Sequence, residues 1–384
     1  MKRHLVLVGG GHAHLLVLRE LQKFKRLGHH VTLINPHHLH FYSGMGPGFL
    51  GGAYRLQDIC FNVKKMVCER NGDFVRDSVA HIDPVHREIS LVTGNLVKYD
   101  VLSCNVGSEI AFKGNIGVDD QVVLVKPIIN LVKARRKILQ MSKTPLSLAV
   151  VGGGAAATEV AGNLQRLLEQ TERTGTVSMF AGSALLPTFP ATVRTKVLGN
   201  FRKRNIVVHE NCQVIGAGKG QVALSNGQCL SFDMIFLATG IKPPQLFANS
   251  GFTIGQDGGL RVNRFLQSVD AENIFGGGDC IDFFDQPLDK VGVFAVRENP
   301  VLLHNLLANL ENRPLKPFKP QKNYLLILNL GDGHGVMCRR NLVANQRWSF
   351  FLKDLIDRKF MKRYQVSGEQ QDGELGEISQ ESKL

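Results

Sequence analysis

VLVGGGHAHLLVLRE, Val6 to Glu20, is an apolar run, then three glycines, then apolar residues at helical spacing. The residues His4-Leu5-Val6-Leu7-Val8 suit a parallel strand buried on both faces. A helical pattern from about Ala13 to Leu27 is stopped by Gly28, and His30 to Asn35 reads as a second strand. In such a βαβ unit glycine backbone can approach a pyrophosphate, while the helix's free N–H groups and dipole favour negative charge. Gly9, Gly10 and Gly11 are therefore candidate cofactor-binding residues, and a side chain at Gly11 would enter the pyrophosphate space. His14 stands where a third glycine is usual, and Asn35 where an acid usually grips a ribose hydroxyl. Asn35 can bond that hydroxyl, without the strength of a charge. Alone, this turn is as compatible with packing as with a nucleotide.

A second copy changes the balance. Leu146 to Val151 leads into Gly152-Gly153-Gly154-Ala155-Ala156-Ala157, a helical stretch to about Gln170, and the strand Thr176 to Phe180. Here Ala157 takes the third-glycine place, a small residue that still permits close helix-to-strand packing. Gly152, Gly154 and Ala157 join the candidate set, and two units point to two dinucleotides. Ile235 to Gly240 and Ile274 to Asp279 each read as a strand ending in a glycine turn, the second followed by an acid.

Composition narrows the class. The 384 residues are 43% hydrophobic and 21% charged, as in an ordinary globular protein of about two domains. No apolar run approaches the ~18 residues of a membrane span, and no signal-peptide region precedes the first strand, so a cytoplasmic location is expected. The seven cysteines include no C-x-x-C pair, which argues against a zinc site or a sequence-adjacent redox disulfide. The net charge of +13 implies an anionic partner without choosing among membrane headgroups, nucleic acid and acidic protein.

The order GGGHAH, YSGMGPG (Tyr42 to Gly48), VVGGGAAATEVAG (Val151 to Gly162), ATG and FGGGDC (Phe275 to Cys280) resembles the FAD-dependent pyridine nucleotide-disulfide oxidoreductase superfamily. It is most similar to the NADH dehydrogenase-like flavoproteins, including those fused to selenide, water dikinase, and more distantly to type II NADH dehydrogenases. LPTFPATVR (Leu186 to Arg194), DKVGVFAVRENP (Asp289 to Pro300) and WSFFLKDLIDRKFMKRYQ (Trp348 to Gln365) extend the similarity to about residue 365.

The resemblance implies an α/β fold: two Rossmann-like dinucleotide-binding domains of the three-layer ββα type, with a C-terminal segment. An FAD domain would comprise residues 1–120 and 262–315, with an NAD(P) domain at 121–261 inserted and a segment at 316–365 packed on both. Residues 366–384, polar and without an apolar period, are expected to be disordered. FAD would be the cofactor and NADH or NADPH the co-substrate, hydride passing from nicotinamide to flavin. By resemblance, Glu159 would sit near nicotinamide and flavin, Asp279 would bind the flavin's ribityl chain or phosphate, and Pro47 would pack by the flavin. Gly44, Gly107, Gly240 and Gly278 complete the expected cofactor-binding set. Lys290 is the candidate cation near the reduced ring.

His12, at the dipole-positive turn, could donate to a phosphate oxygen as a neutral imidazole, while His14 would pack beneath the flavin or the adjoining loop. Their two-residue spacing turns them ~200° apart on a helix, so they cannot share a metal. His37, His38 and His40 lack a carboxylate or cysteine at ligand spacing, and no metal is expected. After the strand ending at Phe180, Ala181-Gly182-Ser183-Ala184 offers neither a carboxylate nor an arginine, so weak discrimination between NADH and NADPH is expected, with NADH the default.

The absence of a visible cysteine pair disfavours a disulfide reductase. Ala295-Val296-Arg297-Glu298-Asn299 replaces the glutamines that type II NADH dehydrogenases carry near quinone. The leading reading is an FAD-dependent NAD(P)H dehydrogenase using a quinone or other small acceptor; the alternative is a slowly turning flavin-bound protein whose basic surface binds nucleic acid or another anion. Nucleic acid is the less favoured partner, and a homodimer is admitted. Arg347 to Tyr364 reads as a basic amphipathic helix that could lie on an anionic membrane or pack its apolar face within the protein. The terminal Ser382-Lys383-Leu384 matches a peroxisomal address, an alternative if the source has peroxisomes.

Overall fold

A computed structural model describes residues 2–117, 119–339 and 342–370. The opening strand, His4–Val8, lies in the middle of a five-stranded parallel sheet ordered Ile274–Gly276, Val101–Cys104, His4–Val8, His30–Ile34, Asp73–Val75. Leu5, Val6 and Leu7 are wholly buried, in one core with residues of the helices Leu15–Arg19 and Gly292–Leu310 and of the antiparallel strands Val79–Asp83 and Glu88–Leu91. Its neighbours leave in opposite directions from the glycine turn, which opens the crevice where such sheets bind ligands. The chain closes this sheet only at Ile274–Gly276, after completing a second one.

The second sheet repeats the plan: Val122–Leu124, Met234–Leu237, Leu146–Val151, Gly175–Phe180, Ile206–His209, again all parallel with the glycine-bearing strand central. Antiparallel strands Val79–Asp83, Glu88–Leu91 and Leu96–Lys98 accompany the first sheet, and Val214–Gly218, Gln221–Leu224 and Cys229–Ser231 the second. A three-stranded antiparallel sheet, Leu326–Asn329, Gly335–Arg339 and Leu342–Gln346, then feeds the helix Arg347–Tyr364. That helix has the bounds expected from its sequence.

Two expectations are corrected. The continuous helix from Ala13 to Leu27 is a 3₁₀ turn at His12–His14 followed by separate helices Leu15–Arg19 and Gln22–Arg26. At the break Leu21 N–H bonds the carbonyl of Leu18, three residues back, and this tighter turn keeps Leu18, Leu21 and Phe24 all buried. The tail is also packed further than expected. Ser367 and Glu369 are buried, and the Glu369 carboxylate accepts from the backbone N–H of Asn62 (3.2 Å) and Ser367 (3.0 Å).

His14 takes the third-glycine place for a structural reason. One ring nitrogen lies 2.7 Å from the carbonyl of Gly9 and the other 2.8 Å from Ser103 Oγ, so the imidazole ties the turn to the neighbouring strand. Burial holds its pKa down at about 4, against an ordinary 6.5. A folded value below the unfolded one gives stabilisation that is complete above pH 6.5 and lost as pH falls toward 4, on the order of 3 kcal/mol in full. His14→Ala is expected to destabilise the protein by ~2–4 kcal/mol at neutral pH and to flatten this acid slope, as read by thermal unfolding between pH 4 and 8.

Candidate active site

At the end of the first strand the backbone of Gly9 turns with φ +86°, and a Cβ there would lie 2.3 Å from the carbonyl oxygen of Asn105. A Cβ on Gly11 would lie 1.7 Å from Asn105 Oδ1. The glycine at 11 is therefore needed first for contact with Asn105, not only for pyrophosphate space. Asn105 receives this contact because its N–H bonds Val8 O (2.8 Å) and its amide donates to Gly277 O (2.8 Å). Asn35 accepts from Gly10 N–H (2.9 Å) and donates to His37 O (2.6 Å). The residue expected to meet a ribose hydroxyl thus braces the loop.

Asp279 sits beyond Gly278, whose φ is +73°. Its carboxylate accepts from Ser108 Oγ (2.8 Å) and pairs with Lys126 Nζ (2.6 Å). Lys290, the expected cation near the flavin, pairs with Asp257 (2.7 Å) and donates to the carbonyl of Ile281. The cation beside Asp279 is Lys126. Glu298 is buried beneath the same turn, where Gly278 N–H donates to it at 2.6 Å, and burial pushes its pKa up to about 7. Gly107, with φ +72° and open space around its Cα, stands near Ser108 on the exposed side of this group.

The second turn is more open. A Cβ on Gly152 would meet Ala238 O at 2.3 Å, whereas nothing lies within 4 Å of one on Gly154 or on Gly240, which has φ +102°. Ala157 is fully buried against the strand. The fold brings to the Ala181–Ala184 loop two groups that the local sequence lacks: Glu210 accepts from Leu185 N–H (2.5 Å) and pairs with Arg194.

The two units meet at Glu159. Its helix, Ala155–Gln170, packs on the short helix Gly46–Leu50, which carries the buried Pro47. Glu159 Oε1 accepts from Asn329 N–H (2.8 Å). Lys353, from the C-terminal helix, donates to Gly44 O (2.6 Å) and pairs with Asp357 (2.6 Å), which accepts from Tyr42 OH (2.9 Å). Burial raises the Glu159 pKa, while the nearby Lys353 and the Asn329 N–H oppose the rise. Lys353 lies on the helix whose sequence reads as basic and amphipathic, yet its side chain is only 12% exposed.

His12 and His40 face each other, their ring centroids 4.7 Å apart, while among the described residues no group of three or more His, Cys, Asp or Glu could hold a metal. Cys104 and Cys280 do approach one another: Cys280 Sγ points to Cys104 O (3.6 Å) and Gly277 O (3.3 Å). Burial pushes Cys280 up to about 12 and Cys104 well above its ordinary value, so neither is a thiolate near neutral pH.

A family model for the pyridine nucleotide-disulphide oxidoreductases matches residues 3–305. The chain belongs to that family. It is therefore an FAD-dependent oxidoreductase that uses NAD(P)H. Ferroptosis suppressor protein 1 of Taeniopygia guttata is 28% identical over 277 residues, 68% of this chain and 70% of that one. The type II NADH:quinone oxidoreductase of Haemophilus influenzae is 23% identical over 266 residues, 60% of each. The structure of NDH2 from Plasmodium falciparum in complex with NADH superposes with a TM-score of 0.78 at 17% identity, covering 96% of this chain and 98% of that one.

The residues present fit such cofactors. Glycine backbone lines both turns, and the Nε2 atom of His12 is buried without a partner. Asn105, Lys126, Tyr42, Lys353 and Asp357 were missed as site residues because each acts through partners remote in sequence. The signal for Asn105 was faint: one amide directly after a fully buried strand.

Gly154 offers the cleanest test of the second turn. Its φ of −89° suits any residue and its side-chain space is empty. Gly154→Val is expected to fold and keep its flavin while weakening NAD(P)H binding by about tenfold or more, measured by NADH titration. Unchanged NADH affinity would remove Gly154 from the nucleotide site.

Proposed function

We propose that this chain oxidises NAD(P)H through FAD and passes the electrons to a quinone or another small acceptor. The observation that carries the reading is the joint at Glu159, where the second nucleotide helix, the Gly44 loop and the C-terminal helix share one buried charge cluster. Bound FAD supplies an acceptor for nicotinamide hydride and a donor to the next acceptor. In this reading Gly9, Gly10, Gly11, His12, Gly107, Gly278 and Asp279 hold FAD. Gly152, Gly154, Ala157 and Gly240 hold the nicotinamide dinucleotide. Lys353 and Glu159 set the charge where the two cofactors meet, and the packed elements around them exclude water. The relative from Haemophilus influenzae, named for NADH and quinone, supports this acceptor class. Glu298, in the segment that departs from the glutamines, is turned to Gly278.

Steady-state NADH and NADPH oxidation, with a short-chain quinone, ferricyanide and oxygen as acceptors, tests the proposal. Quinone is expected to support the highest kcat/KM, and both nicotinamides to be used within about a hundredfold, under 3 kcal/mol of discrimination. Quinone no better than oxygen would overturn the acceptor reading.

Membrane contact belongs to the same proposal. No helix among the described residues is long and apolar enough to cross a membrane. The C-terminal helix instead leaves Trp348 (50%), Phe351 (66%), Leu355 (65%) and Ile356 (46%) exposed, while Met361 and Tyr364 pack into the core. Exposed Arg358, Lys359, Lys362 and Arg363 lie on the same helix. An apolar strip beside basic groups suits an anionic bilayer surface, where a quinone would be available. Trp348 is the chain's sole tryptophan, so its fluorescence reports on this strip directly. Anionic vesicles are expected to shift its emission to the blue, and high salt to reverse part of the shift. Emission unchanged by vesicles at low salt would make the acceptor a water-soluble one. The terminal tripeptide expected as a peroxisomal address lies outside the described residues.

A further inference from the structure

We propose that His40 is a positioning residue for FAD: its Nε2–H bonds His12 Nδ1, which fixes the proton of His12 on Nε2 and aims that N–H at a pyrophosphate oxygen. This rests on the reading that the Gly9–Gly11 turn holds the FAD pyrophosphate.

Three observations converge. His40 Nε2 lies 3.3 Å from His12 Nδ1, with the rings edge to face at 83°. His12 Nε2 is buried and has no partner. The pair is held in place by rings from three segments: Phe360 stacks on His12 at 6.1 Å and 23°, Tyr42 tilts against it at 5.3 Å, and Phe61 stacks on His40 at 6.2 Å.

The direction of the relay follows from charge. Burial, together with the cation Lys126, holds His12 at about 4, and His40 also lies well below its ordinary value. Both rings are neutral near pH 7, and a neutral imidazole carries one proton. One proton between Nε2 of His40 and Nδ1 of His12 leaves two arrangements. If His12 donates, its buried Nε2 is a bare lone pair. If His40 donates, His12 Nε2 carries the hydrogen. Pyrophosphate oxygens only accept, and His12 follows directly on the Gly9–Gly11 turn. The anion therefore selects the second arrangement. His40 acts on the cofactor through His12, from the strand Leu39–Phe41, 28 residues away.

The test uses holoprotein. FAD release is followed as recovery of flavin fluorescence on dilution, for wild type, His12→Phe, His40→Phe and His40→Gln. Glutamine can place an amide N–H where His40 Nε2 stands, so it restores the donor without the ring. Both phenylalanine variants are expected to release FAD about tenfold faster or more, and His40→Gln to stay within roughly threefold of wild type. Nitrogen NMR of the histidines in wild-type holoprotein is expected to find His12 protonated at Nε2 and bare at Nδ1. His12 protonated at Nδ1 would overturn the proposal. So would His40→Gln as leaky as His40→Phe, or release unaltered by His12→Phe, each while wild type still holds FAD. A wild-type protein that takes up no FAD would overturn the underlying pyrophosphate reading as well.

Discussion

Asn105 is the constraint on which the first site is built. Three stretches of chain that are far apart in sequence, around residues 9, 105 and 277, must converge at one point for the crevice to exist. The amide does this by touching each: its own N–H extends the central strand's ladder at Val8, and its side chain bonds Gly277. Gly9, Gly11 and Gly278 carry no side chain because Asn105 fills the volume that one would occupy. The glycines thus have two reasons to be glycine. One is approach to a phosphate; the other is approach to a neighbour that locks the turn.

A second constraint governs the joint between the units. Lys353 and Asp357 are one helical turn apart and nearly buried, with side chains 12% and 6% exposed. An ion pair withdrawn from water loses solvation that only good geometry and further bonds offset. Here the further bonds are present: Gly44 O for the ammonium and Tyr42 OH for the carboxylate. Glu159 adds a second negative charge close by, which favours the charged lysine. The C-terminal helix is thereby fixed by polar contacts at its centre and by Met361 and Tyr364 at its end, while its first turns bury Ser349 beside Gly335 and leave Trp348, Phe351 and Leu355 exposed.

Local patterns were legible in the sequence and remote pairings were not. Glycine turns after apolar runs placed both nucleotide strands, since backbone approach leaves a local mark. Arg347 to Tyr364 was legible to the residue because helical spacing is also local. The break at Leu21 escaped because apolar spacing ran through it unaltered. The Lys290–Asp257 and Lys126–Asp279 pairs both join residues remote in sequence, so local pattern shows neither. Glu210 and Arg194 reached the Ala181–Ala184 loop by the same kind of long-range pairing. Asn35 stands at the end of its strand, where a ribose ligand is expected, and its bonds to Gly10 and His37 are contacts that local pattern does not show.

The basic charge reads differently once the lysines are located. A net charge of +13 invites an anionic partner, yet Lys126 and Lys353 sit inside the site, each against a carboxylate. What remains outside on the C-terminal helix is a short apolar strip with arginines and lysines beside it, the pattern of an interfacial helix and not of a groove that tracks nucleic acid. The same helix carries Lys353 inward to Glu159 and Gly44, and Phe360 inward to His12. A surface contact made by its exposed strip would therefore bear on an element that already packs on His12 and bonds the joint between the two units. On the proposed reading, contact at the strip would be coupled to His12 and Glu159 through one helix of 18 residues.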